Sequence, residues 1–223
     1  LWVHAADIGE AHSALALVSR LNPEYQILMT TRTPASAQLM VQRLPKDVIH
    51  QFVPIDTPKS VARFLNHWRP DASIWMETDM RPNLVMATAE RRIPFVLLNA
   101  HLSKAEFKKW YRIPGFIPPL FTAFNLICAQ SIRDAARLKM MGIADTKRLG
   151  NLKYAASRLT ADIDLVNQFK RETGTRPVWL AAITHKGEEE IISQALVKLR
   201  DKFPDLLTII ALRHPERGTE VAT

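Results

Sequence analysis

Trp2-Val3-His4-Ala5-Ala6-Asp7-Ile8-Gly9-Glu10 is an apolar run that breaks into an acidic turn; from Ala11 to Leu21 apolar residues then recur at helical spacing. Trp75-Met76-Glu77-Thr78-Asp79-Met80-Arg81-Pro82-Asn83 repeats the transition. A short apolar run bounded in this way reads as a buried strand, so each acidic turn lies at a strand's carboxyl end. In an open α/β sheet the crevice beyond those ends is where ligands bind, and both turns therefore fall where chemistry is expected.

The same alternation extends along the chain. Strands are expected at Trp2 to Ala5, Tyr25 to Met29, Ile49 to Val53, Ala72 to Met76, Phe95 to Leu98 and Leu126 to Ala129. Helical spacing fills Ala11 to Leu21, Ala35 to Leu44, Pro58 to Trp68, Pro82 to Arg91 and Ile132 to Met141. Thr57-Pro58 and Arg81-Pro82 are helix starts, because proline is tolerated at the first helical position. Repeated strand–helix order implies βαβ units and a parallel, doubly wound sheet. The rhythm pauses after Gly150-Asn151-Leu152-Lys153, where Tyr154 to Arg176 is polar with one helix expected, and resumes with Pro177 to Ala182, Glu188 to Phe203 and Leu206 to Leu212. These readings divide the chain into a domain over 1–153, a linker over 154–176 and the start of a second α/β domain over 177–223. A unit of about forty residues is too small for a core of its own, so the second domain is expected to be incomplete here. The first residues already read as a strand, which predicts a natural protein longer at both ends.

Thirty basic residues against 22 acidic ones give a net charge of +8, which favours anionic partners such as phosphates, nucleic acid or an acidic membrane surface. Cys128 is the single cysteine; it excludes an intrachain disulfide framework and sits in an apolar run, as a core residue would. No stretch reaches the roughly 18 apolar residues of a membrane span, since Phe116 to Ala129 is interrupted by Pro118, Pro119 and Asn125. The P-loop and dinucleotide glycine fingerprints are absent, and the seven histidines do not fall at metal-ligand spacing. No metal or cofactor is expected. Nucleic-acid binding is disfavoured, because no helix-turn-helix or RNA-binding aromatic signature accompanies the charge.

Glu10 in a first helical turn has a plain role in complementing the helix dipole. Its pairing with Glu77 and Asp79 suggests more: converging carboxylates raise one another's pKa, and one can then serve as a general base near neutral pH. His101 to Arg112 reads as a loop in which Lys104, Lys108, Lys109 and Arg112 interleave with three aromatics, suiting phosphate or lipid-headgroup capture as well as simple solvation. Thr184-His185-Lys186-Gly187-Glu188 opens a helix with N–H groups an anion can use. Arg213-His214-Pro215-Glu216-Arg217 follows the next strand.

Taken in order, HA-x-x-x-GE, MET-x-x-x-PN, NA-x-LS, AQS, GNLK, TH-x-GEE and RHPER resemble the 3-deoxy-D-manno-octulosonic acid (Kdo) transferases of lipopolysaccharide synthesis, over Trp2 to Arg217. The resemblance implies a GT-B fold, with two Rossmann-like domains facing a cleft, acceptor sites mainly in the first and the sugar nucleotide mainly in the second. It implies inverting transfer of Kdo from CMP-Kdo to a phosphorylated lipid A precursor at the cytoplasmic face of a Gram-negative inner membrane, with peripheral membrane contact and no metal. Glu10 matches the general base, while Glu77 and Asp79 match an acidic cluster that orients the acceptor or supports the base. Gly9, Arg81, Asn83, Ser103, Lys104, Lys108, Lys109 and Arg112 fall to the acceptor, and Thr184, His185, Glu188, Arg213 and Arg217 to the donor. The chain departs from the family at Asp7 (usually Ser), Met80-Arg81 (Leu-Trp), His101 (Arg) and Ala105-Glu106 (Arg-Ser). Asp7 is expected to raise the base's pKa, and Arg81 to lower that of Glu10 or Glu77. As a fragment the chain is not expected to catalyse transfer unaided. Two other readings stand beside this one: a GT-B enzyme with another nucleotide sugar, including an epimerase, and a non-catalytic relative that binds an anionic glycolipid.

Overall fold

The computed structural model describes residues 1–155 and 161–222, in two compact units, Leu1–Arg158 and Leu159–Thr223. Residues 156–160 of the expected linker lie outside the described residues.

The first unit runs β1 (Trp2–His4), α1 (Ile8–Leu21), β2 (Leu28–Thr31), α2 (Pro34–Arg43), β3 (Ile49–Phe52), α3 (Pro58–Trp68), β4 (Ser73–Met76), α4 (Pro82–Glu90), β5 (Phe95–Ala100), α5 (Lys104–Trp110), α6 (Ile117–Thr122), β6 (Leu126–Ala129), α7 (Ile132–Met140) and β7 (Thr146–Arg148). All seven strands are parallel, in the order β3-β2-β1-β4-β5-β6-β7. The sequence winds outward one way from β1 and then the other way from β4, so the switch point lies between these two neighbours. Trp2 of β1 aligns with Ser73 of β4, and His4 with Trp75. The turns after β1 and β4 thus leave from adjacent strand ends.

Period-two alternation assigns the faces. Trp2 and Trp75 point to one face, where they meet at 5.5 Å edge-on and pack with Phe64, Phe95 and Phe124. That layer is covered by α3, α4, α6 and α7 through Phe64, Leu65, Leu84, Val85, Phe121 and Leu138. Val3, Met29 and Met76 point to the other, where Ala11, Ala14 and Val18 of α1 and Met40 of α2 close the core. Helices before and after the switch point fall on opposite faces, as right-handed crossovers require.

Four segments differ from the sequence expectation. The strand expected at Tyr25 to Met29 runs instead over Leu28–Thr31, because Tyr25 N–H is spent closing the turn onto the Leu21 carbonyl. The basic loop is a helix over Lys104–Trp110: Ser103 accepts from Glu106 N–H, and the Glu106 carboxylate accepts from Ser103 N–H. This reciprocal capping box satisfies two otherwise orphaned donors. The short α6 and the polar edge strand β7 were absent from the expectation.

The second unit holds α8 (Ile163–Thr173), β8 (Val178–Thr184), α9 (Glu188–Arg200), β9 (Leu207–Leu212) and α10 (Gly218–Val221). Strands β8 and β9 pair in parallel from Val178↔Leu207 to Thr184↔Leu212, a β-α-β unit. Helix α8 falls within the segment read as linker and belongs to this second unit.

Candidate active site

Glu10 sits in the first turn of α1, and its Oε2 accepts the Ala6 N–H at 2.6 Å. The carboxyl is thereby folded back toward the end of β1. Burial raises its pKa to about 8; the Ala6 hydrogen bond opposes this, and the negative charges of Glu77, Asp79 and Asp7 add to it. The acids of the two turns therefore act on one another. Asp7 contributes least of the three; its carboxylate is spanned by Arg32, whose Nη2 lies 3.0 Å from both oxygens.

Asp79 behaves oppositely. Burial favours its neutral form, but His4 and Arg81 overcome that penalty and hold the carboxyl well below the usual range. Arg81 Nε donates to Oδ2 at 2.9 Å, and Arg32 Nη1 donates to Oδ1 at 3.3 Å. His4 is wholly buried, and burial lowers its pKa against the pull of Asp79, so it is neutral near pH 7. A carboxylate only accepts, so His4 donates from Nε2 to Asp79 at 3.1 Å and its Nδ1 accepts from the Thr30 hydroxyl at 3.0 Å. That hydroxyl in turn accepts the Trp2 indole N–H at 2.8 Å. The chain of donors fixes the imidazole's tautomer.

Glu77 leaves β4 in the left-handed region, at φ 56°, and Asn99 does the same in β5 at φ 57°. Such conformations cost a non-glycine residue about 1–2 kcal/mol and are held here by cross-links. Asn99 Nδ2 donates to Glu77 Oε1 at 3.3 Å, its Oδ1 accepts Leu152 N–H at 3.1 Å, and Lys153 Nζ lies 3.2 Å from Glu77 Oε1. The loop before Lys153 is thus tied to the ends of β4 and β5. Gly9 belongs to the same cluster, since a Cβ there would sit 3.7 Å from Lys153 Nζ.

The other residues expected on the acceptor side divide into two groups. Arg81 faces Asp79 and donates to the Pro54 carbonyl at 3.0 Å, so its charge is spent on Asp79 rather than on Glu10 or Glu77 as expected from sequence. Asn83 donates through Nδ2 to the Asp56 carbonyl at 2.8 Å, and Ser103 caps α5. Lys104, Lys108, Lys109 and Arg112, by contrast, are exposed and have no ion-pair partner among the described residues. Two of them, Lys104 and Lys108, lie four residues apart on one side of α5.

In the second unit, Thr184 ends β8 and donates to Glu189 Oε1 at 3.1 Å. Arg217 spans the same carboxylate, with Nη1 at 3.1 Å and Nη2 at 3.2 Å, and lowers its pKa. Glu188 accepts His185 N–H at 2.8 Å and closes the turn; the acid that organises this loop is Glu189, one residue beyond the one singled out. His185 and His214 bring their rings within 6.4 Å, and Arg213 follows β9, its N–H bound to the Thr184 carbonyl.

Residues not singled out from sequence include His4, Arg32, Asn99 and Lys153. His4, Asn99 and Lys153 lie inside quoted motifs, and Arg32 follows β2, the strand beside β1, so position at a strand end was the available signal.

The charge state of Glu10 can be read without any substrate. Its folded-state pKa lies above the unfolded value of 4.5. The resulting stabilisation is complete below that value and is lost as pH rises through about 8. Glu10→Gln keeps an acceptor for Ala6 N–H and has no charge to bury. Its melting temperature should therefore gain on wild type by on the order of 5 °C between pH 5 and pH 9. Thermal unfolding at the two pH values measures this, and a gap independent of pH would contradict the raised pKa.

A parallel sheet of this order, with acidic turns at its switch point and a β-α-β unit following, defines an α/β protein of the GT-B type. The fold matches solved structures across the chain. A UDP-GlcNAc 2-epimerase from Neisseria meningitidis aligns with TM-score 0.68 at 13% identity, over 99% of this chain and 67% of that one. A glycosyltransferase from Rickettsia africae aligns with TM-score 0.64 at 13% identity, over 99% and 63%. Residues 1–156 match the family model of the 3-deoxy-D-manno-octulosonic-acid transferases, and the chain belongs to that family. Relatives carrying this name include proteins of Rickettsia felis, 34% identical over 97% of this chain and 47% of the relative, and Haemophilus influenzae, 35% identical over 100% and 53%. The chain spans about half the length of these relatives.

Proposed function

We propose that the full-length protein transfers Kdo from CMP-Kdo to a lipid A precursor with inversion at the anomeric carbon. The observation that carries this reading is Glu10, a partly buried carboxyl whose pKa is raised to about 8, held by Ala6 N–H at the switch point of the sheet. A base of that strength is suited to take a proton from a sugar hydroxyl as its oxygen attacks. In the proposed step the hydroxyl oxygen bonds to the anomeric carbon, the bond from that carbon to the phosphate oxygen of CMP breaks, and the hydroxyl proton passes to Glu10. CMP leaves with the bonding electrons.

Glu77 and Asp79 then act as positioning residues, one fixed by Lys153 and Asn99, the other by His4, Arg81 and Arg32. The cations on and after α5, which have no ion-pair partner among the described residues, are proposed to meet acceptor phosphates and, at a peripheral membrane surface, anionic headgroups. Gly9 gives the acceptor close access to the backbone beside Glu10. Arg81, Asn83 and Ser103 shape the acceptor site through the contacts described above. Thr184, His185, Glu188, Arg213 and Arg217 are proposed to serve the CMP portion of the donor, with Glu189 setting Arg217. Among the described residues no helix is long and apolar enough to cross a membrane. The proposed location is the cytoplasmic face of the inner membrane of a Gram-negative bacterium.

The test is donor consumption by the full-length protein with a lipid A precursor. CMP-Kdo should be consumed with formation of CMP and a Kdo-bearing lipid, and UDP-GlcNAc should be left intact. Consumption of the uridine nucleotide alone would overturn the assignment, and lipid binding without product would make the protein a non-catalytic relative.

A further inference from the structure

A cleft of about 910 Å³ opens within the first unit beyond the carboxyl ends of β5, β6 and β7. Its lining includes His101, Gln130, Ser131, Arg133, Arg137 and Arg148. Gln130 and Ser131 come from the AQS motif, which the reaction above does not use, and Gly150 opens the GNLK motif, of which it uses only Lys153.

The one acid in the lining is Asp134, and its charge is spent inward. It is buried and accepts Leu102 N–H at 3.0 Å and the Ser131 hydroxyl. His101 Nδ1 lies 3.2 Å from it, off the hydrogen-bonding line, and Arg137 lies at 4.0 Å. Arg137 also donates to the Leu102 carbonyl, so it is fixed in the wall. Arg133 and Arg148 are different: both are exposed and neither has an acid partner among the described residues. They stand at the start of α7 and the end of β7, and both line the cleft.

Two unpaired guanidinium groups facing one concavity, with the only carboxylate already satisfied, form a receptor for an anion that accepts in several directions. Guanidinium forks match phosphate oxygens bidentately, and the volume leaves room for a sugar attached to the phosphate. We propose that this cleft is a phosphate-ester subsite, with Arg133 and Arg148 as the contacting residues and Asp134 as the residue that positions the wall. It deepens the transferase reading and rests on it only for the source of the phosphate, which is either the glycolipid acceptor or the nucleotide.

The test reads binding, without turnover, by calorimetry on the full-length protein. Glucose 1-phosphate is expected to bind and glucose is not, and Arg133→Ala/Arg148→Ala should weaken the phosphate ester by about tenfold or more. Both side chains are exposed and unpartnered, so the double variant should unfold like wild type, which thermal unfolding checks. Arg148→Lys should restore part of the affinity. Two further titrations identify the source: a phosphorylated against a dephosphorylated glucosamine disaccharide, and CMP against cytidine. Loss confined to the disaccharide phosphate assigns the acceptor, and loss confined to CMP assigns the nucleotide. Unchanged affinity of the double variant for every phosphate, no binding of any, or equal binding of glucose overturns the subsite. Phosphate binding through the cleft in a protein that never consumes CMP-Kdo would overturn the transferase reading and leave the subsite standing.

Discussion

Glu10→Gln in the full-length protein should lower the rate of Kdo transfer by roughly two to four orders of magnitude, the range associated with loss of a positioned base. Glutamine preserves the shape of the side chain and an acceptor for Ala6 N–H, so the loss would report proton transfer rather than a displaced helix. The pH profile gives an independent reading. With a pKa of about 8, Glu10 is mostly protonated at neutral pH, and kcat/KM should climb about tenfold per pH unit up to that value and then level. The limb should vanish in Glu10→Gln. Asp7→Asn should move it down by only a few tenths of a unit, because Arg32 already faces that carboxylate. Near-wild-type turnover by the glutamine variant, or a limb in the ordinary carboxylate range, would refute the role of base.

The placement of Glu10 and Glu77 beside one another was legible because it needed only two inferences: that each apolar run is a strand, and that each following turn lies at a carboxyl end. Parallel winding then brings β1 next to β4. Their partners were not legible, because they come from distant parts of the chain. His4 and Asp79 are 75 residues apart and Arg32 and Asp79 are 47 apart. Burial leads the rise at Glu10 and the clustered acids only add to it, whereas at Asp79 burial is overcome by the hydrogen bonds from His4 and Arg81. The same limit explains β2. Its buried Thr30 and Thr31 end the apolar run early in sequence, although Thr30 is the hydroxyl that orients His4. Helix α5 was hidden by three cations that break its apolar pattern, while its start could be read from Ser103 and Glu106, three residues apart. The edge strand β7, Thr146–Arg148, offers almost no apolar signal.

Asp79→Ala should be the most destabilising single change at the site, by about 3–5 kcal/mol, the cost of removing one partner from a buried charged network. Its carboxylate is 13% exposed and satisfies His4, Arg81 and Arg32 together. Alanine leaves His4 Nε2 without an acceptor in a fully buried ring and Arg81 without its counter-charge. For a domain of this size the melting temperature should fall by on the order of 10 °C. The comparison that isolates burial is Asp7→Ala, which takes a carboxylate from the same Arg32. There the partners are 50% and 45% exposed, and an exposed pair contributes about 1 kcal/mol or less. The sign with pH is also fixed. The folded-state pKa of Asp79 lies below its unfolded value of 3.8. Its stabilisation is therefore present above that value and lost as pH falls through the lower, folded-state pKa. The gap between wild type and Asp79→Asn, measured by thermal unfolding, should accordingly be wide at pH 7 and narrow in acid. Equal melting temperatures for Asp79→Ala and Asp7→Ala would show that the network around Asp79 is no stronger than a solvated ion pair.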